Sequence, residues 1–267
     1  MKFFLKSFFI YGLISLSSLY GPTKVYAQVS TQALSCLSCF NIVEKTILTR
    51  AGHVAEVWKI QFNTNTPPRA RHLMAHQNAV RDFFGHGITT RNLIQRQGEI
   101  YRRHVSEESA RPYDDVSQGR VGHIGENLSC LEVQILEDFL SRIPEAIPER
   151  EFLAYVFQRG NEGVILFSIM PSLAGGAMLP GQLRMIPELI AQGFSFKLNL
   201  HNHPFAIERP RDDEAYDWGG ASFPSDPDVR MYLNQRNLFQ LEAARVTNGF
   251  GHLHIPATEF SLMEAWL

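Results

Sequence analysis

Two imidazoles spaced one residue apart in "HNHP" (His201–Pro204), with "PSDPD" (Pro224–Asp228) following, bring metal-binding side-chain types together. A catalytic zinc ion takes three protein ligands, usually imidazole nitrogen and carboxylate oxygen, and keeps a further position open to water. His201, His203 and Asp228 supply such a set. Residues i and i+2 of an extended segment project to the same side, so His201 and His203, at the end of "FSFKLNL", can approach one ion together. Pro204 then turns the chain away. Asp228 falls in the first turn of a helix expected after Pro224 and Ser225. The ordinary alternatives are a helix cap for Ser225 and a first-turn acid for Asp228, favoured there by the helix dipole.

Spacing alone is a weak signal in a chain with ten histidines. A second pair, His252 and His254 in "GHLHIP", lies inside an expected strand with no acid nearby before Glu259, and is read as solvent-facing. His72 and His76, four apart on an expected helix from about 69 to 84, resemble half of a helical zinc-protease site. That chemistry needs a glutamate after the first histidine, where Leu73 stands, so a surface helix carrying two histidines is the reading.

The elements that must position these residues are most legible after Gly125. Leu131, Ile135, Leu136, Phe139 and Leu140 recur at helical spacing, and Pro144 should end their helix. "EFLAYVF" and "GVILFSIM", separated by "QRGNE", read as an antiparallel hairpin. "GQLRMIPELIAQG" is expected to be a helix and "FSFKLNL" a strand leading to His201. A helix in "SDPDVRMYLNQ" and strands in "LEAARVTN" and "GHLHIP" complete a mixture of helices and strands around a central sheet. Residues 30–125 are polar, Arg-rich and weakly patterned, with a break at "NTNTPP".

With these elements in order, His201, His203, Ser225 and Asp228 form HxH, spacer, SxxD, which resembles the metal site of the JAMM (JAB/MPN) zinc metalloproteases. Glu151 in "PEREFLAYVF" is similar to that family's glutamate before an early apolar strand, with Ala154 at the family's small-residue position. The closing "EAARVTNGFGHLHIPATEF" resembles the family's last strand pair, so the likeness covers about residues 131–260. It implies an α/β fold of the α+β type, a central mixed β-sheet flanked by helices, JAMM/MPN-like and cytidine-deaminase-like. It also implies one Zn²⁺ per chain held by His201, His203 and Asp228, which would bring its bound water to a pKa of about 7. Glu151 would move the proton as general base and acid, and Ser225 would donate to the oxyanion. Glu151 as a surface residue at a helix-to-strand turn is the ordinary alternative. Residues 204–224 make a longer spacer than the family's usual one and read as a loop insertion. Loop closure tolerates this, at about 0.6 kcal/mol per doubling of length. Asp212, Asp213, Asp217 and Asp226 are nearby carboxylates that compete with Asp228 for the ligand role.

The N-terminus suggests where such chemistry would happen. Lys2 and Lys6, the apolar "SFFIYGLISLSSLYG" and "VYA" at Ala27 read as a cleaved secretory signal over 1–27, against a membrane anchor. The expected product is secreted or periplasmic, with no stable membrane span. Residues 28–125 are expected to form a mainly helical or irregular region and 126–267 the metalloprotease-like domain. The chain has 267 residues, 45% of them apolar, enough for a substantial core, and a formal charge of -2, which gives no general attraction to nucleic acid. In an oxidising compartment the three cysteines suggest a disulfide, either Cys36 with Cys39 or one of these with Cys130. The reading is thus a hydrolase of peptide or isopeptide bonds in a peptide or protein substrate. The alternatives are a non-catalytic interaction module or scaffold of the same fold, and a redox protein using "CLSC", which lacks a thioredoxin-like pattern around it.

Overall fold

The computed structural model describes residues 38–48, 53–63, 69–169, 178–205 and 220–267. In chain order the elements are β1 (Cys39–Ile47), β2 (Val54–Asn63), α1 (Arg71–Phe84), α2 (Thr90–His104), α3 (Glu107–Ser117) and β3 (His123–Gly125). There follow α4 (Cys130–Leu140), β4 (Phe152–Arg159), β5 (Glu162–Ile169), α5 (Pro180–Ala191), β6 (Ser195–Asn202), α6 (Asp226–Phe239), β7 (Ala243–Thr247) and β8 (His252–Pro256). A 3-10 helix over Ala257–Trp266 closes the chain. The signal reading of 1–27, Cys36 and the loop acids Asp212, Asp213 and Asp217 lie outside the described residues.

The eight strands among the described residues join one open mixed sheet in the order β1-β2-β5-β4-β6-β7-β8-β3. Its pairs are antiparallel except β6 with β7, which α6 connects as a helical crossover. Parallel neighbours need a connection of this kind. β4 is central and buried on both faces, so its apolar run is continuous rather than alternating. Leu153, Tyr155 and Phe157 point into a core shared with Ile186 of α5, Val229 and Tyr232 of α6, and Phe260 of the closing helix. Phe152, Ala154 and Val156 point the other way, against α4.

The predicted stripe on α4 is buried there in full: Leu131, Ile135, Leu136, Phe139 and Leu140 are each at most 5% exposed. Burying a side chain of that size contributes about 1.5–3 kcal/mol. The hairpin closes through Gly160, whose φ of 61° suits a residue without Cβ.

The described part of 28–125 holds helices, as expected, and strands beside them. Residues 71–117 do form three helices, but 39–63 form two long strands, and β2 pairs with β5 from Val54↔Ile169 to Gln61↔Glu162. Trp58, Ile60 and Phe62 alternate into the α4-side core with Lys59 and Gln61 exposed between them, a period-2 pattern interrupted at the buried, charged Glu56. β3 likewise pairs with β8, so the sheet runs across the 125/126 boundary. Cys39 is joined to Cys130, which ties β1 to the start of α4.

Candidate metal centre

β6 runs between β4 and β7, and its last residues carry the chemistry. Leu153 is the cross-strand partner of His201, so both side chains stand on the face covered by α6. His203 lies just past the strand. Its backbone N–H still donates to the Thr247 carbonyl (3.0 Å), continuing the ladder to β7 for one more bond. Its ring is fixed as well, because Nδ1 lies 3.2 Å from the Ala221 carbonyl and must carry the proton to bond there. That leaves Nε2 with its lone pair.

α6 starts at the same end of the sheet. Pro227 suits the first turn, where its missing N–H would have had no helical partner. Asp228 Oδ2 accepts the Ser225 N–H (2.8 Å) and the Ser225 hydroxyl (2.6 Å), closing the turn over "SDPD". The same Oδ2 lies 3.5 Å from His201 Nε2 and 3.5 Å from His203 Nε2. One oxygen therefore faces both imidazoles. Burial works to raise the Asp228 pKa, but His201 and His203 outweigh it and hold the carboxyl ionised, well below the usual carboxylate range. The positive end of the helix dipole adds in the same direction.

These three side chains could hold a metal ion. Among the described residues they are the one group of three or more His, Cys, Asp or Glu whose ligand atoms all lie within 4.8 Å of one another. Two further observations fit that use. His201 is 4% exposed and its Nε2 is buried without a hydrogen-bond partner, a costly state for a ring nitrogen unless something else occupies its lone pair. Two nitrogens and a carboxylate oxygen are also a donor set for zinc and similar divalent ions. Asp226, one of the expected competitors, is exposed at the first helical position and stands outside the group.

Glu151 sits half-buried immediately before β4. Asn202 brackets it: its Oδ1 accepts the Phe152 N–H (2.7 Å) and its Nδ2 donates to the Arg150 carbonyl (3.1 Å). The backbone on both sides of Glu151 is thereby pinned to the strand that carries the histidines. Glu151 lies near enough to Tyr232 for its charge, after burial and with Asp228 and Tyr155, to push the tyrosine hydroxyl upward. The Tyr232 ring is fully buried, and its Oη lies 3.3 Å from His201 Nδ1. Tyr232 and Asn202 escaped the sequence reading. The spacing Asp228-x-x-x-Tyr232, one helical turn, is the signal that points to the first of them.

The other histidines behave differently from expectation. His252 and His254 are not solvent-facing: His252 is 9% exposed with Nδ1 3.0 Å from Glu132 Oε1, and burial together with the Arg245 charge lowers His254 to about 3. Their acid comes from α4, far away in sequence, which explains why the local context of "GHLHIP" hid it. Glu132 also accepts from Arg245 Nη1 (2.8 Å) and the Ser129 hydroxyl (2.6 Å), so this buried group is internally paired. His76 is not a surface residue either, for it is buried with Nδ1 donating to the Ala146 carbonyl (2.9 Å). His72 pairs instead with Glu137 of α4 (2.7 Å), and that carboxylate also accepts the His72 and Leu73 N–H groups at the start of α1. Comparison of the chain with protein-family models, curated proteins and solved structures finds no match.

Proposed function

We propose that this chain is an exported zinc-dependent metallopeptidase that hydrolyses peptide or isopeptide bonds, with a JAMM-like arrangement of its site. The observation that carries this reading is the approach of His201 Nε2 and His203 Nε2 to the same Asp228 oxygen, from two separate elements, at the C-terminal end of a central strand. Crevices at that end of a parallel strand pair, beside a helix N-terminus, are where α/β sheets bind ligands. Glu151 at the head of the adjoining β4 supports the same reading.

His201, His203 and Asp228 would hold the ion. Zinc supplies Lewis acidity, polarising a carbonyl and making water acidic near neutral pH. Glu151 accepts the proton of the attacking water and delivers it to the leaving amine. The Ser225 hydroxyl donates to Asp228 here, so its service to an oxyanion requires it to rotate away from that carboxylate. The bond from the Ser225 N–H to the same carboxylate, the Asp228 half of a capping box, favours the second reading, a non-catalytic module of like fold in which Ser225 only opens the helix.

Metal analysis of the purified chain tests the proposal. About one zinc per chain is expected, and its loss in His203→Ala with the fold retained. A metal-free wild-type chain that also fails to take up added zinc would overturn it.

A further inference from the structure

We propose that Tyr232 is a positioning residue of the metal centre, holding His201 in the tautomer that offers Nε2 to the cation; this rests on the metal-binding reading above. The two nitrogens of His201 face different surroundings. Nδ1 has the Tyr232 hydroxyl at 3.3 Å, while Nε2 is buried with no hydrogen-bond partner and faces Asp228 Oδ2 at 3.5 Å. A neutral imidazole carries its proton on one nitrogen only. A proton on Nε2 would face only Asp228 Oδ2, at a long 3.5 Å and already accepting the Ser225 N–H and hydroxyl, whereas a proton on Nδ1 is donated to Tyr232 Oη. The second arrangement satisfies both nitrogens once a cation takes the Nε2 lone pair.

His203 reaches the same tautomer by a different partner, the Ala221 carbonyl. The two imidazoles are therefore oriented independently, one by backbone and one by a side chain. α6 supplies that side chain one turn after Asp228, so a single rigid helix delivers both the carboxylate and the group that aims its neighbouring ligand. The Tyr232 ring stacks on Phe260 (5.7 Å between centroids), which locks its rotamer independently of the hydroxyl. Outer partners of this kind typically govern metal affinity by about 10- to 100-fold.

The test is the zinc dissociation constant of the full chain and of Tyr232→Phe, measured by competition with a chromophoric chelator, with thermal unfolding of both chains stripped of metal as a control. The expected result is a loss of about 10- to 100-fold in zinc affinity with a modest fall in the metal-free unfolding midpoint, because phenylalanine keeps the volume and the stacking but leaves His201 Nδ1 without its partner. A merely structural tyrosine would lower the metal-free midpoint and leave zinc affinity equal, which overturns the proposal while leaving zinc binding intact. A wild-type chain that binds no zinc overturns the metal reading itself and the proposal with it. Nitrogen-15 shifts of His201 in the metal-free wild-type chain give a readout that needs no variant. The proton is expected on Nδ1, and a proton on Nε2 contradicts the proposal.

Discussion

At the scale of single residues, the proposed centre would separate holding a metal from moving a proton. His201, His203 and Asp228 form one group, and Glu151 stands just before another strand, β4, its backbone tethered through Asn202. Glu151→Gln should therefore keep the full complement of zinc while hydrolysis of a mixed peptide library falls by about 10²- to 10⁴-fold, the usual worth of a positioned general base. Equal activity in the variant would remove Glu151 from the reaction. Ser225 separates the two readings of "SDPD". If it is a helix cap alone, Ser225→Ala costs about 1 kcal/mol in urea unfolding and leaves turnover per folded molecule unchanged. If it also serves the oxyanion, turnover falls by about 10²-fold or more.

At the scale of elements, α4 is held to the sheet twice. The disulfide from Cys130 to Cys39 ties its first turn to β1, and Glu132 buries a carboxylate against Arg245 of β7 and His252 of β8. Breaking a buried ion pair on one side leaves an uncompensated charge, so Glu132→Gln should cost about 3–5 kcal/mol in urea unfolding. A loss within experimental error would show that the cluster is hydrated or rearranges freely. The disulfide closes a span of 91 residues, and replacing both cysteines by alanine should cost about 2–5 kcal/mol.

Much of this scale was legible in the sequence. The stripe of α4, the hairpin β4–β5 and the order β6, α6, β7, β8 follow from periodicity and turn residues. The two long strands before residue 64 were not legible: β1 is an edge strand with most side chains in solvent, so its pattern carries no burial signal. The Glu132 cluster was hidden for a different reason, since its members come from sequence-distant elements that only the sheet order brings together.

At the scale of the whole molecule, these buried groups set how the fold responds to acid. Burial opposes the charge on Glu132, but His252 and Arg245 outweigh it and hold the carboxyl at about 2, against 4.5 ordinarily. Its contribution to stability is complete above the unfolded value and disappears as pH falls toward 2. His254, lowered to about 3 from 6.5, must stay neutral in the fold. Between those values the unfolded chain binds a proton that the folded chain does not, so stability falls as pH drops from about 6.5 to about 3. Both groups act with the same sign. Urea midpoints should therefore decline steadily between pH 7 and pH 4, and His254→Gln should flatten the upper part of that slope. A midpoint that rises on acidification would contradict the sign.

The central claim is that two imidazoles and one carboxylate, brought to the end of one strand by the β6–α6 crossover, bind a divalent ion. X-ray absorption at the zinc edge, on the purified chain loaded with one equivalent of zinc, tests it most directly. The account predicts a shell of nitrogen and oxygen only, at about 2.0–2.2 Å, with the outer-shell scattering of two imidazoles and its loss in His203→Ala. A spectrum of hydrated zinc, or one with sulfur ligands, would contradict it.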